Sequence, residues 1–156
     1  MSPAPRVQQY LAHQQVAYEL VPHPHTASSQ ETALAAHVPE DHLAKGVLVK
    51  DADGYALVVI PASHWLQLDR LNSDSGRDFQ LASEAEVAAL FPDCEVGAVP
   101  PLGPAYGVET FLDEALTTLA RIWFEAGDHH NLIRVDGADF LDLLRGVRHG
   151  HYSYGD

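Results

Sequence analysis

With 156 residues, 46% of them hydrophobic and 20% charged, the chain is predicted to fold as one globular domain rather than as a disordered protein. Its single cysteine excludes an internal disulfide and a zinc cluster built from several thiolates. Because 22 acidic residues outweigh 9 lysines and arginines, the net charge of −13 should repel a nucleic-acid backbone, and only a local basic patch could bind one.

The first residues show no export signal. Residues 1–6 lack the basic and then apolar order of a secretory signal, and no apolar run in the chain reaches the length of a membrane span. We therefore expect a cytoplasmic protein without membrane contact. Apolar residues at helical spacing then predict an amphipathic helix over residues 6–15, and a short strand follows over residues 18–21.

The next segment, residues 22–29, is predicted to be a loop because its two prolines exclude a regular helix. Its serines can cap a helix expected over residues 30–37. His25, Thr26 and Ser28 are candidate residues for the mouth of a binding pocket. The alternative is a plain loop whose hydroxyl groups only cap the next helix.

The clearest β-hairpin is predicted from residues 45–50 and 55–60, two β-rich runs around a turn that ends in glycine. The chain has only two lysines, Lys45 and Lys50, and they bracket the first of these runs. Because side chains alternate along a strand, the two lysines face opposite sides of it. Lys45 is the candidate functional cation; the alternative is a lysine that reaches solvent from the end of a strand.

Ser83 and Glu86 form a capping-box pattern, which predicts a helix that stops before Pro92. Residues 95–107 contain so many glycines and prolines that they should form a shaped loop. Strands are predicted over residues 110–112, 121–125 and 131–135, with a helix capped by Asp136 after them. Together these elements predict an α+β fold in a single domain, residues 1–156, with a curved, mostly antiparallel mixed sheet flanked by helices. The core is expected over about residues 7–144, followed by a partly ordered tail over residues 145–156.

Two segments resemble the YbaK and prolyl-tRNA-synthetase editing-domain family. The strand Ala44-Lys45-Gly-Val-Leu-Val49 is similar to the family's lysine strand. The loop Glu95-Val-Gly97-Ala-Val-Pro-Pro101-Leu-Gly103 is similar to its Gly-x-x-x-Pro loop. The order of the elements also matches, over about residues 7–144. Signatures of serine hydrolases, P-loop proteins and dinucleotide-binding proteins do not occur.

The resemblance implies a free-standing deacylase that hydrolyses mischarged tRNA, with tRNA for proline carrying alanine or cysteine as the substrate type. It implies Lys45, Gly97 and Pro101 as catalytic residues. Further residues that it places at the substrate are Ala98, Val99, Pro100, Gly103 and His129, beside His25, Thr26 and Ser28. For His129 the ordinary expectation is an exposed turn residue. The implied partners are the 3′-terminal aminoacyl-adenosine of tRNA and possibly an aminoacyl-tRNA synthetase, with no DNA and no cofactor.

Two other functions compete with hydrolysis. One is a non-catalytic module of the same fold that binds tRNA ends or a protein. The other is a histidine-rich metal carrier, suggested by the pairs His23 and His25, and His149 and His151. Two imidazoles without a matching carboxylate or cysteine set make a weak metal site, so no metal is expected.

Four further features have a structural interpretation as the first expectation. Cys94 lacks a fixed histidine partner and is expected to fill space. Trp65 and Trp123 are expected in the core. Residues 145–154 mix cations with aromatic side chains, which could grip single-stranded RNA, but a disordered terminus is the more ordinary expectation.

Overall fold

A mixed β-sheet with helices packed against it accounts for most of the described chain, residues 2–26 and 28–155 of a computed structural model. The helices are α1 Pro5–His13, α2 Ser29–Ala36, α3 Leu68–Ser75, α4 Glu84–Leu90 and α5 Gly137–Leu143. The strands are β1 Glu19–Pro22, β2 Leu43–Asp51, β3 Gly54–Pro61, β4 His64–Leu66, β5 Gln80–Leu81, β6 Glu109–Asp113, β7 Arg121–Glu125, β8 Asn131–Asp136, β9 Arg148–Gly150 and β10 Ser153–Gly155.

The main sheet has the strand order β1-β8-β7-β2-β3-β6-β9, and β5 pairs with β2 beside that path. Two pairs of consecutive strands form antiparallel hairpins, β2 with β3 and β7 with β8. Three pairs are parallel: β2 with β7, β3 with β6, and β6 with β9. The strands β4 and β10 form a separate antiparallel pair. The predicted α+β class with a mixed, mostly antiparallel sheet is therefore confirmed.

The central hairpin of β2 and β3 follows the predicted pattern. Lys45 lies opposite Ile60 and Lys50 lies opposite Tyr55. At the turn, Asp51 Oδ1 accepts hydrogen bonds from the backbone N–H groups of residues 53 and 54 at 3.0 and 3.1 Å. Gly54 has a φ of +144°, a conformation that favours glycine. Local turn chemistry thus sets the register of the two longest strands.

Helix starts agree with the capping patterns in the sequence. Ser28 Oγ accepts from the backbone N–H of Glu31 before α2, and Ser83 and Glu86 form the expected capping box at α4. Asp136 stands at the N-cap of α5, but its side chain makes no capping hydrogen bond within the described chain. Helix α3 was not predicted because only two of its eight residues, Leu68 and Leu71, are apolar, which is too few to reveal a helical period.

The core lies on both faces of the sheet. The larger cluster joins α1, α4 and α5 to one face through Leu11, Phe91, Phe124 and Phe140. The second cluster packs on the opposite side of β3 and β6 and includes Ile60, Leu71, Phe111 and Tyr152. None of the helices in residues 2–26 and 28–155 has the length and apolarity that a membrane crossing needs.

The C-terminal segment differs from the partly ordered tail expected from the sequence. Strand β9 extends the main sheet beside β6, and β10 pairs with β4. Tyr152 between them is buried, and its N–H donates to Asp113 Oδ2 at 2.9 Å. The same oxygen accepts from the Ser153 hydroxyl at 2.7 Å. The partners that order this segment lie about 40 residues or more earlier in the chain, so no local period reveals them.

Candidate functional site

A cleft of about 350 Å³ opens beside the first half of β2. Strand β2 contributes Lys45 and the three residues after it. The loop after α4 contributes Gly97 and Val99, and Glu125 at the end of β7 also lines the cleft. Ser28 contributes from the start of α2. The fold therefore brings together residues from four segments that are far apart in the sequence.

Lys45 provides the positive charge of this cleft. Its amine lies 3.5 Å from the backbone oxygen of Ala62. Partial burial lowers the pKa of Lys45, and the nearby Glu40 carboxylate opposes that shift. Among the ion pairs of residues 2–26 and 28–155, none involves this amine. A half-buried cation without a bound carboxylate is available to hold an anionic or polar ligand group.

The loop of residues 95–103 forms the opposite wall. Gly97 is exposed and has a φ of +86°, a left-handed conformation that a side chain would strain. Behind it, Ala98, Pro100, Pro101 and Gly103 are buried and do not line the cleft. A Cβ at Gly103 would overlap Thr110 Oγ1, so this glycine lets the loop pack on β6. Gly97 and Val99 are thus the predicted loop residues that face the ligand space directly.

The pocket-mouth residues behave differently from one another. Ser28 lines the cleft while it caps α2. Thr26 is buried and its hydroxyl lies 2.5 Å from that of Thr32, which fastens the loop to α2. His25 is exposed; its ring centroid lies 5.0 Å from that of His129. Neither His25 nor Thr26 lines the cleft.

His129 is 4% exposed, so the expectation of an exposed turn residue was wrong. Its Nε2–H donates to the backbone oxygen of Val96 at 2.6 Å, which ties the β7–β8 turn to the loop that carries Gly97. Its Nδ1 lies 3.5 Å from Glu125 Oε2. His129 therefore acts behind the Gly97 wall, as a support for it.

Glu125 sits between two buried histidines, an arrangement that was not predicted from the sequence. It is 4% exposed, and its Oε1 lies 3.2 Å from His23 Nε2. The other nitrogen of His23 lies 2.7 Å from the Pro24 oxygen. Carbonyl oxygens only accept, so each histidine carries a proton on the nitrogen that faces its carbonyl. The nitrogens that remain both face Glu125.

The group formed by His23, Glu125 and His129, here called the buried triad, consequently needs an extra proton. Two bare imidazole nitrogens and an ionised carboxylate are all acceptors and would repel one another. Burial, with a smaller contribution from the Asp128 carboxylate, raises the pKa of Glu125 to about 8. At neutral pH this raised pKa favours a protonated Glu125 carboxyl, which can donate to His23 Nε2 at 3.2 Å. An acidic residue that ends an otherwise apolar strand run is the one sequence signal that could have suggested it.

Other candidate residues occupy different places. Burial raises the pKa of the Cys94 thiol to about 12, which argues against a nucleophilic role. Trp65 is 56% exposed, so the expectation of a core residue was wrong. Trp123 is partly buried and packs against a small hydrophobic cluster that includes Leu43 of β2 and Leu132 of β8.

One group among the described residues has the composition of a metal site. Ligand atoms of His25, Glu95 and His129 lie within 4.8 Å of one another, and two of these residues are exposed. Of the histidine pairs considered from the sequence, His23 faces Glu125 instead of His25, and neither His149 nor His151 belongs to this group.

Comparison with known proteins shows the family and the fold of the chain. The family model described as an aminoacyl-tRNA editing domain matches residues 23–143. A solved structure of a candidate trans-editing enzyme for prolyl tRNA synthetase is similar, with 25% identity, a TM-score of 0.82 and 99% of each chain covered. A scaffold from work on epitope backbone grafting by computational design has 25% identity, a TM-score of 0.84 and 100% coverage of both chains.

A candidate signal transduction protein from Marinobacter aquaeolei VT8 shares the fold, with 21% identity and a TM-score of 0.77. The match covers 97% of this chain and 30% of that one. Among curated proteins, none matches this chain.

Proposed function

The chain belongs to the aminoacyl-tRNA editing domain family, and on that premise we propose that it is a trans-editing deacylase that hydrolyses mischarged tRNA. The observation that carries the proposal is the Lys45 amine, which forms no ion pair with the described residues and lies in a cleft whose other wall is the Gly97 loop. The proposed substrates are tRNAs of the proline type that carry a small amino acid such as alanine or cysteine. An aminoacyl-tRNA synthetase is the proposed partner that makes the mischarged product.

Hydrolysis of an aminoacyl ester needs no strong nucleophile from the protein. An aminoacyl ester is already activated, so water adds to the carbonyl carbon and the bond to the ribose oxygen breaks. The products are the free amino acid and a tRNA with a free terminal hydroxyl. The enzyme must place the ester and water and stabilise the negative charge that develops on the carbonyl oxygen. A neighbouring substrate hydroxyl can carry part of the proton transfer, and no cysteine is among the described residues that line the cleft.

Each wall of the cleft has a part in this proposal. Lys45 holds the terminal phosphate or ribose region by charge. The exposed backbone at Gly97 allows the ester to approach closely, since no side chain stands there. Pro100 and Pro101, buried behind it, stiffen the wall.

The size and lining of the cleft support a small amino acid. Its volume of about 350 Å³ lies at the lower end for ligand sites. Val47, Leu48, Val87 and Val99 supply apolar surface there. A ribose and a short side chain can share this space. Discrimination by such a surface is worth roughly 1 to 3 kcal/mol per methylene, so the preference should be graded.

Deacylation of a panel of mischarged tRNAs tests the proposal. For Lys45→Ala we expect kcat/KM to fall roughly 100-fold on the preferred substrate, with the fold retained. Lys50→Ala is the matched control, because Lys50 pairs with Glu86 at 2.9 Å and does not line the cleft. Its activity should equal that of the native chain. Binding of tRNA without turnover of any panel member would replace the deacylase with a non-catalytic module.

A further inference from the structure

Two exposed aromatic side chains lie opposite each other on the small sheet. Trp65 of β4 is 56% exposed and Tyr154 of β10 is 50% exposed. The antiparallel register pairs them directly. Residues opposed in this way project from the same face, with Cβ atoms roughly 5 Å apart. Together they form one aromatic surface, here called the aromatic platform.

The aromatic platform reaches the candidate active-site cleft through Trp65, whereas Tyr154 lines neither cavity. A second cavity of about 170 Å³ is lined by Trp65, His64 and Lys45, with Ser28 to Gln30 on its other side. Lys45, Ser28 and Ser29 also line the main cleft. A ligand whose reacting end occupies the main cleft would therefore leave it past Lys45 and meet Trp65 next.

The backbone beneath the aromatic platform is well anchored. The Ser153 hydroxyl donates to Asp113 Oδ2 at 2.7 Å and lies 2.9 Å from His64 Nδ1. The N–H of Gln67 donates to the Tyr152 oxygen at 2.7 Å. Both aromatic residues thus stand on strands held by buried groups, and each has few side-chain torsions to restrict. A ligand that stacks on them pays little ordering entropy.

Charge limits which nucleic-acid contacts can contribute. The net charge of −13 opposes binding through many phosphates. Among the described residues that line the second cavity, Lys45 is the one lysine or arginine, and the Glu40 carboxylate acts on it with the opposite sign. Stacking of bases on aromatic side chains does not depend on net charge. An aromatic platform is therefore the contact that an acidic protein can use to hold a single strand.

We propose that Trp65 and Tyr154 stack on the bases of the single-stranded 3′ end of tRNA, next to the terminal nucleotide whose ester lies in the main cleft. This inference rests on the proposed deacylase function, because it takes the main cleft as the place of the reacting end. The Lys45 amine then stands at the junction of the two cavities. The single-stranded end, and no part of the duplex, is the ligand of this surface.

Binding of an RNA hairpin that has a single-stranded 3′ tail and carries no amino acid tests the inference without any ester. The chain contains two tryptophans, so Trp123→Phe leaves Trp65 as the only one. We expect RNA to quench its fluorescence, and a hairpin with the same stem but no tail to leave it unchanged. Trp65→Ala should weaken binding roughly 10-fold, Tyr154→Ala less, and Trp65→Phe should retain part of the affinity.

The matched control is Tyr18→Ala, which removes another exposed aromatic residue, 41% exposed, that lines a different cavity. Its affinity for the tailed hairpin should be native. Because few phosphates are contacted, log K should fall with log salt with a slope of only about −1. A slope several times steeper would overturn the inference in favour of binding through phosphates.

Kinetics separate this inference from the proposed function. If both hold, Trp65→Ala raises KM for mischarged tRNA roughly 10-fold and leaves kcat unchanged. Quenching by the tailed hairpin without deacylation of any tRNA keeps the aromatic platform and overturns the deacylase. Deacylation with native KM in Trp65→Ala overturns the aromatic platform alone. A third outcome is that the native chain forms a dimer, that Trp65→Ala abolishes it, and that RNA does not quench the fluorescence. This outcome would assign the aromatic platform to a second copy of the chain and overturn the inference.

Discussion

The two ends of the β2–β3 hairpin contain the same residue types and use them differently. At the turn end, Lys50 pairs with Glu86, and Asp51 pairs with Arg77 at 2.7 Å. At the cleft end, Lys45 has no ion-pair partner among the described residues, although Glu40 is near enough to affect it. Charges that are satisfied within the protein stabilise it, whereas a charge left unpaired is available to a ligand.

The carboxyl groups near the two ends of the hairpin have pKa values shifted in opposite directions. Arg77 binds Asp51 and lowers the pKa of that carboxyl below its ordinary value of 3.8. Burial raises the pKa of Glu125, beside the cleft end, to about 8. Folding therefore favours the ionised form of Asp51 at the turn end and the protonated form of Glu125 at the cleft end. This contrast suggests that the turn end was shaped for stability and the cleft end for chemistry.

The largest expected difference concerns two glycines with positive φ, one at each end. Gly97, at +86°, lines the cleft, and Gly107, at +68°, precedes β6 near the turn end. Alanine at either position should reduce the free energy of unfolding by roughly 1 to 2 kcal/mol because of the left-handed backbone. Only Gly97→Ala should also lower kcat/KM, by about 100-fold, since the loop that positions the ester must shift.

Thermal melts and deacylation assays of the two variants measure these effects side by side. Equal losses of activity would show that backbone strain anywhere disturbs the cleft, and the contrast between the ends would fail.

The second prediction concerns pH and Glu125. A carboxyl whose pKa is raised by folding contributes stability at low pH and loses it as the pH rises through the folded value. Between its ordinary value of 4.5 and about 8, Glu125 should therefore make the native chain progressively less stable. Glu125→Gln cannot ionise, so its Tm relative to the native chain should increase with pH over that range. Glu114→Gln, a partly exposed glutamate outside the cleft, should show no such trend.

Melting curves from about pH 5 to pH 9 check this expectation. A constant difference in Tm between Glu125→Gln and the native chain would mean that Glu125 ionises normally, and the buried triad would then hold no extra proton.

The smallest effect is expected for Arg77→Ala at the turn end. Because the pKa of Asp51 is lowered by folding, its ion pair stabilises the folded chain above pH 3.8. This stabilisation is lost as the pH falls through the pKa of Asp51 in the folded chain. The native chain should thus have a slightly higher Tm than Arg77→Ala at neutral pH, and the difference should shrink in acid. Arg70→Ala, an exposed arginine of α3, is the control and should melt like the native chain at every pH. A Tm difference that grows on acidification would contradict the assigned role of this ion pair.

Local patterns were sufficient for much of the fold. The hairpin around residues 51–54 follows from β-rich runs and a glycine-ended turn, and α4 follows from the capping box of Ser83 and Glu86. The opposite directions of Lys45 and Lys50 follow from the alternation of side chains along a strand. Each of these features depends on residues within a few positions of one another.

Burial at the site could not be read in that way. His129 looked like a turn residue, yet it contacts Val96, 33 positions earlier, and is buried. Glu125 meets His23 across 102 positions. Trp65 looked like a core residue, but β10 pairs with its backbone and leaves the ring exposed. The effect of each on chemistry comes from these distant partners.

From the amino-acid order alone come the fold class, the positions of the main hairpin and capped helices, and the opposite directions of Lys45 and Lys50. Those features arise from backbone and side-chain preferences that act over a few residues. The protonated group around Glu125, the exposed ring of Trp65 and the strands near the C-terminus depend on tertiary packing. Burial and ionisation are set by whatever surrounds a side chain in space, and here the surroundings come from the far ends of the chain.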